Sequence, residues 1–236
     1  MTSKSDELSF VLPCKDEVGN IGRLINEIRA IGYAADKHQI IIIDDGSTDG
    51  TSELLRNIAR KDEGIIILFP EKRLGLGQSV RLGILESNTE YVAVLDSDGM
   101  HNPSYLPLMS IQCQNNHKLI IGSRLVAGGK MHGALYPFFS LLINRIIKVV
   151  TDSEVNDQLC GFFVAPTNLL REIPKECFDG FGEYFMYVTH YFEKHFTGVV
   201  ELPTIHEVRN HGVRKSRRMN MAKSYLRTSF RIRKLI

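Results

Sequence analysis

Asp96 and Asp98, separated by Ser97, are the residues whose types and spacing point most sharply to chemistry. They follow the apolar run YVAVL at 91–95, so two carboxylates stand one residue apart where a buried strand ends. Such a pair repels itself unless a cation or hydrogen-bond donors neutralise it. Mg²⁺ and Mn²⁺ are hard ions that take oxygen ligands and keep positions for phosphate oxygens. A cation there would offset the charge that develops on a diphosphate leaving group. A D-x-D triplet also arises by chance, with no ion attached.

A second acidic turn lies at the end of the run IIIIDDGSTDGT, residues 40–51, where Asp44 and Asp45 open a buried strand into a loop. A carboxylate at that mouth can accept hydrogen bonds from a nucleobase or ribose. An Asx turn followed by a helix cap accounts for Gly46, Ser47 and Asp49 equally well without a ligand. Two acidic turns on the same side of one sheet make a shared site the stronger reading.

The elements that must position these residues follow a regular rhythm. Short apolar runs at 8–13, 40–43, 65–69, 91–95 and 119–121 alternate with helix-like stretches near 20–31, 50–61, 76–87 and 103–115. Continuous apolarity suits strands buried on both faces, and β-α-β alternation predicts a doubly wound, mostly parallel sheet flanked by helices. Ligands of such sheets bind beyond the carboxyl ends of the strands. After Gly122 the rhythm breaks. Residues 123–133 form a Gly-rich basic loop, and 134–150 form an apolar stretch interrupted by Pro137, Asn144, Arg145 and Lys148. That stretch is shorter than the ~20 residues needed to cross a bilayer, which leaves an interfacial helix, a dimer helix or core packing. Strands near 161–165 and 198–202 enclose a helix near 183–196, and a last helix covers 218–234.

The chain has 236 residues, 43% hydrophobic and 24% charged, which suits one α/β domain. Four scattered cysteines without a CxxC pair argue against a disulfide framework or zinc site and for a reducing compartment. The N-terminal segment shows no signal-peptide run. The net charge of +2 is unevenly spread: residues 209–236 hold ten Lys/Arg and no acidic residue, so residues 1–208 balance at −8. The division expected is a catalytic domain over 1–208 and a basic loop with an amphipathic tail helix over 209–236. A segregated basic tail usually meets something anionic, such as lipid headgroups, phosphorylated ligands or nucleic acid, and a solvated surface helix is the alternative. Tyr225 and Phe230 are its only stacking aromatics, which disfavours nucleic acid and favours an anionic membrane surface.

Six motifs occur in a telling order: FVLPCKDEVGNI, IIIIDDGSTDGT, RLGLGQSVRLGI, DSDGMHNP, IGSRLVAGGK and DQLCGFF. Together they resemble family 2 glycosyltransferases of the GT-A fold, over roughly residues 8–216. The spacing is most similar to the dolichol-phosphate mannosyltransferase and polyprenyl-phosphate branch. The resemblance implies that Pro13, Lys15 and Glu17 hold the nucleotide, with Ile43 and Asp45 completing the base and ribose pocket. It makes Asp96 and Asp98 the Mg²⁺ or Mn²⁺ ligands, with Ser97 between them. It gives Arg124 a contact to the donor diphosphate or sugar and Asp157 a place near the reacting centre. Arg209, Gly212 and Lys215 keep the R-x-x-G-x-x-K spacing of a loop that closes over phosphates.

The departures from the family pattern concern Met100, where a third, glutamine ligand is expected, and Cys14 and Lys15, which replace the tyrosine after the first-strand proline. Tyr136 stands where an acceptor-loop arginine is expected. The implied reaction is inverting transfer from a nucleotide-diphosphate sugar to a lipid phosphate, at the cytoplasmic face of a membrane. A glycan hydroxyl acceptor would need a general base, for which Asp157 is the candidate. A nucleotidyltransferase reading lacks its Gly-rich loop after the first strand. A non-catalytic sugar-nucleotide or lipid-binding relative, and a homodimer through 134–150, stay open.

Overall fold

A computed structural model describes residues 8–32, 38–132, 136–208 and 218–234. The sheet is laid down by β1 (Leu8–Cys14), β2 (His38–Asp44), β3 (Ile65–Leu68), β4 (Tyr91–Val94), β5 (Leu119–Ser123), β7 (Phe163–Pro166) and β8 (Val199–Pro203). Their spatial order is β3-β2-β1-β4-β7-β5-β8. β1 pairs in parallel with both β2 and β4, β2 with β3, and β5 with β8, whereas β7 runs antiparallel to β4 and β5. The chain leaves β1 towards β2 and β3, then returns to add β4 on β1's other side. That reversal opens a crevice at the carboxyl ends of β1 and β4, where a doubly wound sheet binds its ligands.

Helices α1 (Ile21–Ala30), α2 (Thr51–Ala59), α3 (Leu76–Glu86) and α4 (Leu106–Asn116) cover the sheet. α1 buries Ile21, Leu24, Ile25 and Ile28, the spacing of one helical face. α3 approaches the sheet closely because position 83 is glycine: a Cβ there would stand 2.4 Å from Val11 Cγ1 and 2.8 Å from Ile43 Cδ1. Every residue of β1 is buried, as the continuous apolar run requires.

The second half departs from simple alternation. After β5 the chain stays on the crevice side of the sheet through α5 (Tyr136–Thr151) and a loop, so β7 enters from that side and must run backwards. The sequence placed this strand but not its direction. A small parallel pair, β6 (Lys130–Met131) with β9 (Ile205–His206), and the short helix α6 (Thr167–Glu172) were not anticipated; both are too short to show a period. α7 (Glu183–Lys194) and α8 (Arg218–Arg233) complete the fold. Ile147 of α5, Met186 of α7, and Tyr225 and Ile232 of α8 form a second apolar cluster beside the main core.

α5 has two faces. Ser140, Asn144, Ile147 and Thr151 are buried, while Phe138 (62% exposed), Phe139, Leu141, Leu142, Ile146 and Val149 (72% exposed) face outwards. α8 runs beside it, exposing Lys223, Arg227, Arg231, Arg233, Lys234 and the apolar Phe230. Among the described residues, no helix is long and apolar enough to cross a membrane.

Candidate active site

The crevice is built by stitching the loop after β1 to the loop after β2. Asp16, with φ +49°, donates its N–H to Ser47 Oγ at 2.8 Å and accepts from Thr48 N at 2.7 Å. Glu17 N donates to Thr51 Oγ1 at 2.9 Å, and Glu17 Oε2 accepts from Asn20 Nδ2 at 2.7 Å. Lys15 Nζ reaches Gly46 O at 2.7 Å and lies 3.6 Å from Asp16 Oδ2. Asp49 accepts from Val18 N, Thr51 N and Thr51 Oγ1. Burial pushes its carboxyl up, but the Thr51 and Val18 hydrogen bonds outweigh it and hold it below the usual range.

The two acidic positions at the end of β2 do different work. Asp44 accepts from Ser47 N, three residues on, at 3.0 Å and from the Ser52 hydroxyl, whereas the Asx-turn bond of this loop runs from Thr51 N to Asp49. Asp45 faces the next loop: Leu74 N at 2.6 Å and Gly75 N at 3.0 Å donate to its two oxygens, and Arg73 Nε lies 3.6 Å away. Asp45 thus fastens the RLGLG segment at the start of α3 against the crevice. Ile43 is fully buried against Gly83, and Pro13 is also buried. Pro13 O accepts from Ser97 Oγ at 2.8 Å, so the serine between the two aspartates ties their turn to β1.

Asp96 is 37% exposed at the β4 mouth. Its N–H donates to His101 Nδ1 at 3.0 Å, and Asp98 Oδ1 accepts from Met100 N at 3.0 Å, closing a tight turn around the two carboxylates. Two carboxylates half-open to the crevice form a hard-oxygen donor set that fits Mg²⁺ or Mn²⁺. The Met100 thioether adds nothing to that set.

Arg124 directly follows β5, and Asp157 lies on the loop before β7. Asp157 is fully buried and the Arg124 side chain 5% exposed. Arg124 Nε donates to Asp157 Oδ2 at 2.7 Å, Nη2 to Oδ1 at 2.6 Å, and the Arg124 backbone N–H to Oδ2 at 2.9 Å. The pair is a bidentate fork, the strong form of this interaction.

Beneath these groups lies a cluster that the sequence did not reveal. His101 stacks on Phe162 and meets His206 edge-on, with ring centroids 5.0 and 4.7 Å apart. Ligand-type atoms of His101, Cys160 and His206 lie within 4.8 Å of one another. Burial first, then the Arg124 charge, outweighs the pull of Asp98 and Asp157 and holds His101 down at about 4. His206 is lowered further by burial, His101 and Arg124, while burial and Asp157 push the Cys160 thiol up. Neutral imidazoles and a protonated thiol suit a hydrogen-bonded floor: Cys160 Sγ donates to Gly122 O at 2.9 Å and His101 supports Asp96 N. The only sequence signal was the position of His101 directly after the acidic turn.

The structure therefore brings Pro13, Lys15, Glu17, Asp45, Asp96, Ser97, Asp98, Arg124 and Asp157 to the crevice side of one sheet, with Ile43 in the core behind them. Arg209, Gly212 and Lys215, and the side chain of Tyr136, lie outside the described residues.

Known proteins resemble this chain in sequence and in fold. The chain is 27% identical over 167 residues to a dolichol-phosphate mannosyltransferase of Pyrococcus furiosus, covering 66% of this chain and 45% of that one. It is 26% identical over 187 residues to an undecaprenyl-phosphate mannosyltransferase of Micrococcus luteus, covering 73% and 71%. Against the Pyrococcus protein and two dolichyl-phosphate β-glucosyltransferases of Trichomonas vaginalis, the chain spans roughly half of the relative's length, 45%, 57% and 51%. Glucosyl-3-phosphoglycerate synthase of Mycobacterium tuberculosis, solved with Mn²⁺, UDP and glucosyl-3-phosphoglycerate, superposes with a TM-score of 0.72 at 20% identity. That superposition covers 96% of this chain and 80% of the other, and shows the GT-A-like α/β fold. The model of glycosyl transferase family 2 matches residues 9–195, and the chain belongs to that family.

Proposed function

We propose that the chain moves a sugar from a UDP- or GDP-linked donor to a polyprenyl phosphate or related lipid phosphate, with inversion at the anomeric carbon. An acceptor phosphate oxygen would attack the anomeric carbon as the bond to the donor diphosphate breaks, and the nucleoside diphosphate would leave with the electron pair. The observation that carries the choice of acceptor is the Asp157–Arg124 fork. A hydroxyl acceptor needs a base, and the carboxylate considered for that role is buried and committed to a guanidinium. A lipid phosphate is already ionised near neutral pH and needs no such base.

On this reading Asp157 orients Arg124, and Arg124 meets the donor diphosphate as charge builds on it. A divalent cation held by Asp96 and Asp98 would supply further neutralisation there. Asp45 keeps the 73–75 segment in place beside the nucleotide, and the Lys15–Glu17 loop forms the opposite wall. The names of the relatives, which specify dolichol, undecaprenyl and UDP-linked chemistry, support the same donor and acceptor classes.

The acceptor enters from a membrane surface in this proposal. The outward face of α5 is apolar and α8 beside it is cationic, the combination that lies in an anionic lipid interface. The setting is peripheral, at the cytoplasmic face.

The test offers polyprenyl phosphate in vesicles and a free saccharide side by side, with a panel of UDP- and GDP-sugars and Mn²⁺. Sugar carried into the lipid phase as a phosphodiester supports the proposal. Sugar on the saccharide hydroxyl alone overturns the acceptor, and no transfer with firm nucleotide binding favours a non-catalytic relative.

A further inference from the structure

The loop that presents Asp157 is held from two sides by side chains of other elements. Asn156 N and Asp157 N donate to Glu201 Oε2 and Oε1 at 2.7 and 3.0 Å, and Gln158 N donates to Asn144 Oδ1 at 2.9 Å. Three successive backbone N–H groups are thus taken by one residue of β8 and one of α5. Asn156 Nδ2 adds a bond to Glu201 Oε2 at 2.8 Å. Asn144 is 1% exposed, and its Nδ2 donates to Ser140 O at 3.0 Å, which turns its carbonyl towards Gln158. One turn on, Lys148 Nζ donates to Glu154 O at 2.7 Å and Asn156 Oδ1 at 3.1 Å.

We propose that Asn144 and Glu201 are positioning residues that aim Arg124 by fixing the backbone of the 156–158 loop under the Asp157 carboxylate. Its functional weight rests on the reading of Arg124 as the diphosphate contact. Asp157 Oδ2 accepts from both the backbone N–H and Nε of Arg124, so a displacement of the loop tilts the guanidinium plane. Small displacements matter at such a site: ~1 Å of misplacement can cost ~10²-fold in rate. A loop has no ladder to define its path, and these two side chains supply what a strand would otherwise provide. Asn144 also lies on the face of α5 opposite Phe139, Leu142 and Val149. The helix proposed to touch lipid is therefore the helix that seats the donor-site arginine.

The test reads Arg124 itself. In the ¹⁵N-arginine-labelled full chain, the Arg124 Nε–H, assigned by its loss in Arg124→Lys, should give a separate, slowly exchanging signal because it faces a buried carboxylate. Asn144→Ala should shift this signal and abolish its slow exchange. Glu201→Gln keeps one carbonyl oxygen and should shift the signal less. It carries the same test if Asn144→Ala does not fold. An Arg124 signal that stays at its wild-type position in both folded variants would overturn the proposal. Because the readout needs no substrate, a chain that binds no nucleotide would end the functional reading and leave the positioning result intact.

Discussion

Asp157 spends both carboxylate oxygens on Arg124, and Oδ2 accepts from that residue twice, at 2.9 and 2.7 Å. Removing one partner of a buried pair leaves the other charge without compensation, which costs roughly 3–5 kcal/mol. Asp157→Asn should therefore lower unfolding stability by that order in urea denaturation. It should also reduce turnover by about 10²–10³-fold, the size of losing one oriented transition-state donor. Unchanged turnover in a folded Asp157→Asn protein would remove this residue from the mechanism.

Met100 follows the acidic turn at the position where an oxygen ligand is expected. Replacing its thioether by a carboxamide adds a hard donor to Asp96 and Asp98. Met100→Gln should tighten Mn²⁺ binding by about tenfold, the low end of what a change in a metal site's surroundings produces. Paramagnetic titration of free Mn²⁺ measures this directly, and equal affinities would place position 100 outside the ion's reach.

The surface proposed to face lipid is open to a two-sided test. Each basic residue near an anionic surface contributes ~1 kcal/mol, so reversing both Arg227 and Arg231 to Glu should weaken vesicle partitioning by well over tenfold. Replacing Phe138, Phe139 and Val149 by Ser should weaken it on neutral vesicles as well. Flotation that ignores both sets, with a monomer–dimer equilibrium that responds to the Ser set, would make this face a contact between copies of the chain.

His190 on α7 predicts an acid limit to stability. It is 3% exposed and its Nε2 has no hydrogen-bond partner among the described residues. Burial first, then His195 and Lys194, lower it to about 4. The folded form refuses a proton that the unfolded chain accepts at ~6.5, so this contribution destabilises the fold as pH falls from ~6.5 towards 4. Above ~6.5 it has no effect. His190→Leu should lose less stability than the parent between pH 7 and pH 5, and parallel losses would contradict the assignment.

Much of this site was legible because its parts lie at strand ends. The runs FVLP, IIII and YVAVL announce strands buried on both faces, and the acidic turns after them mark the crevice without any knowledge of packing. The antiparallel course of β7 was not legible, since a continuous apolar run carries no direction. Nor were the partners of the marked residues. Asp45 reads as a ligand group, but no local pattern shows that Leu74 and Gly75 also bond its oxygens or that Ser97 bonds Pro13. Asn144 did leave a trace, as a polar interruption of an apolar helix. Its meaning depended on Gln158, fourteen residues away, which no local pattern could supply.

A donor diphosphate bridging the Asp96/Asp98 pair and Arg124 is tested most directly by calorimetric titration with UDP, GDP, CDP and dTDP, each with and without Mn²⁺. One nucleotide should bind, with affinity that depends on the ion. Asp98→Asn should abolish the ion-dependent part, and Arg124→Gln should weaken what remains. A ligand present at 100 times its dissociation constant would also raise stability by ~2.7 kcal/mol, a second readout on the same samples. Binding that is indifferent to Mn²⁺ and to both substitutions, or absent for every nucleotide, would contradict a donor site at the mouth of β4.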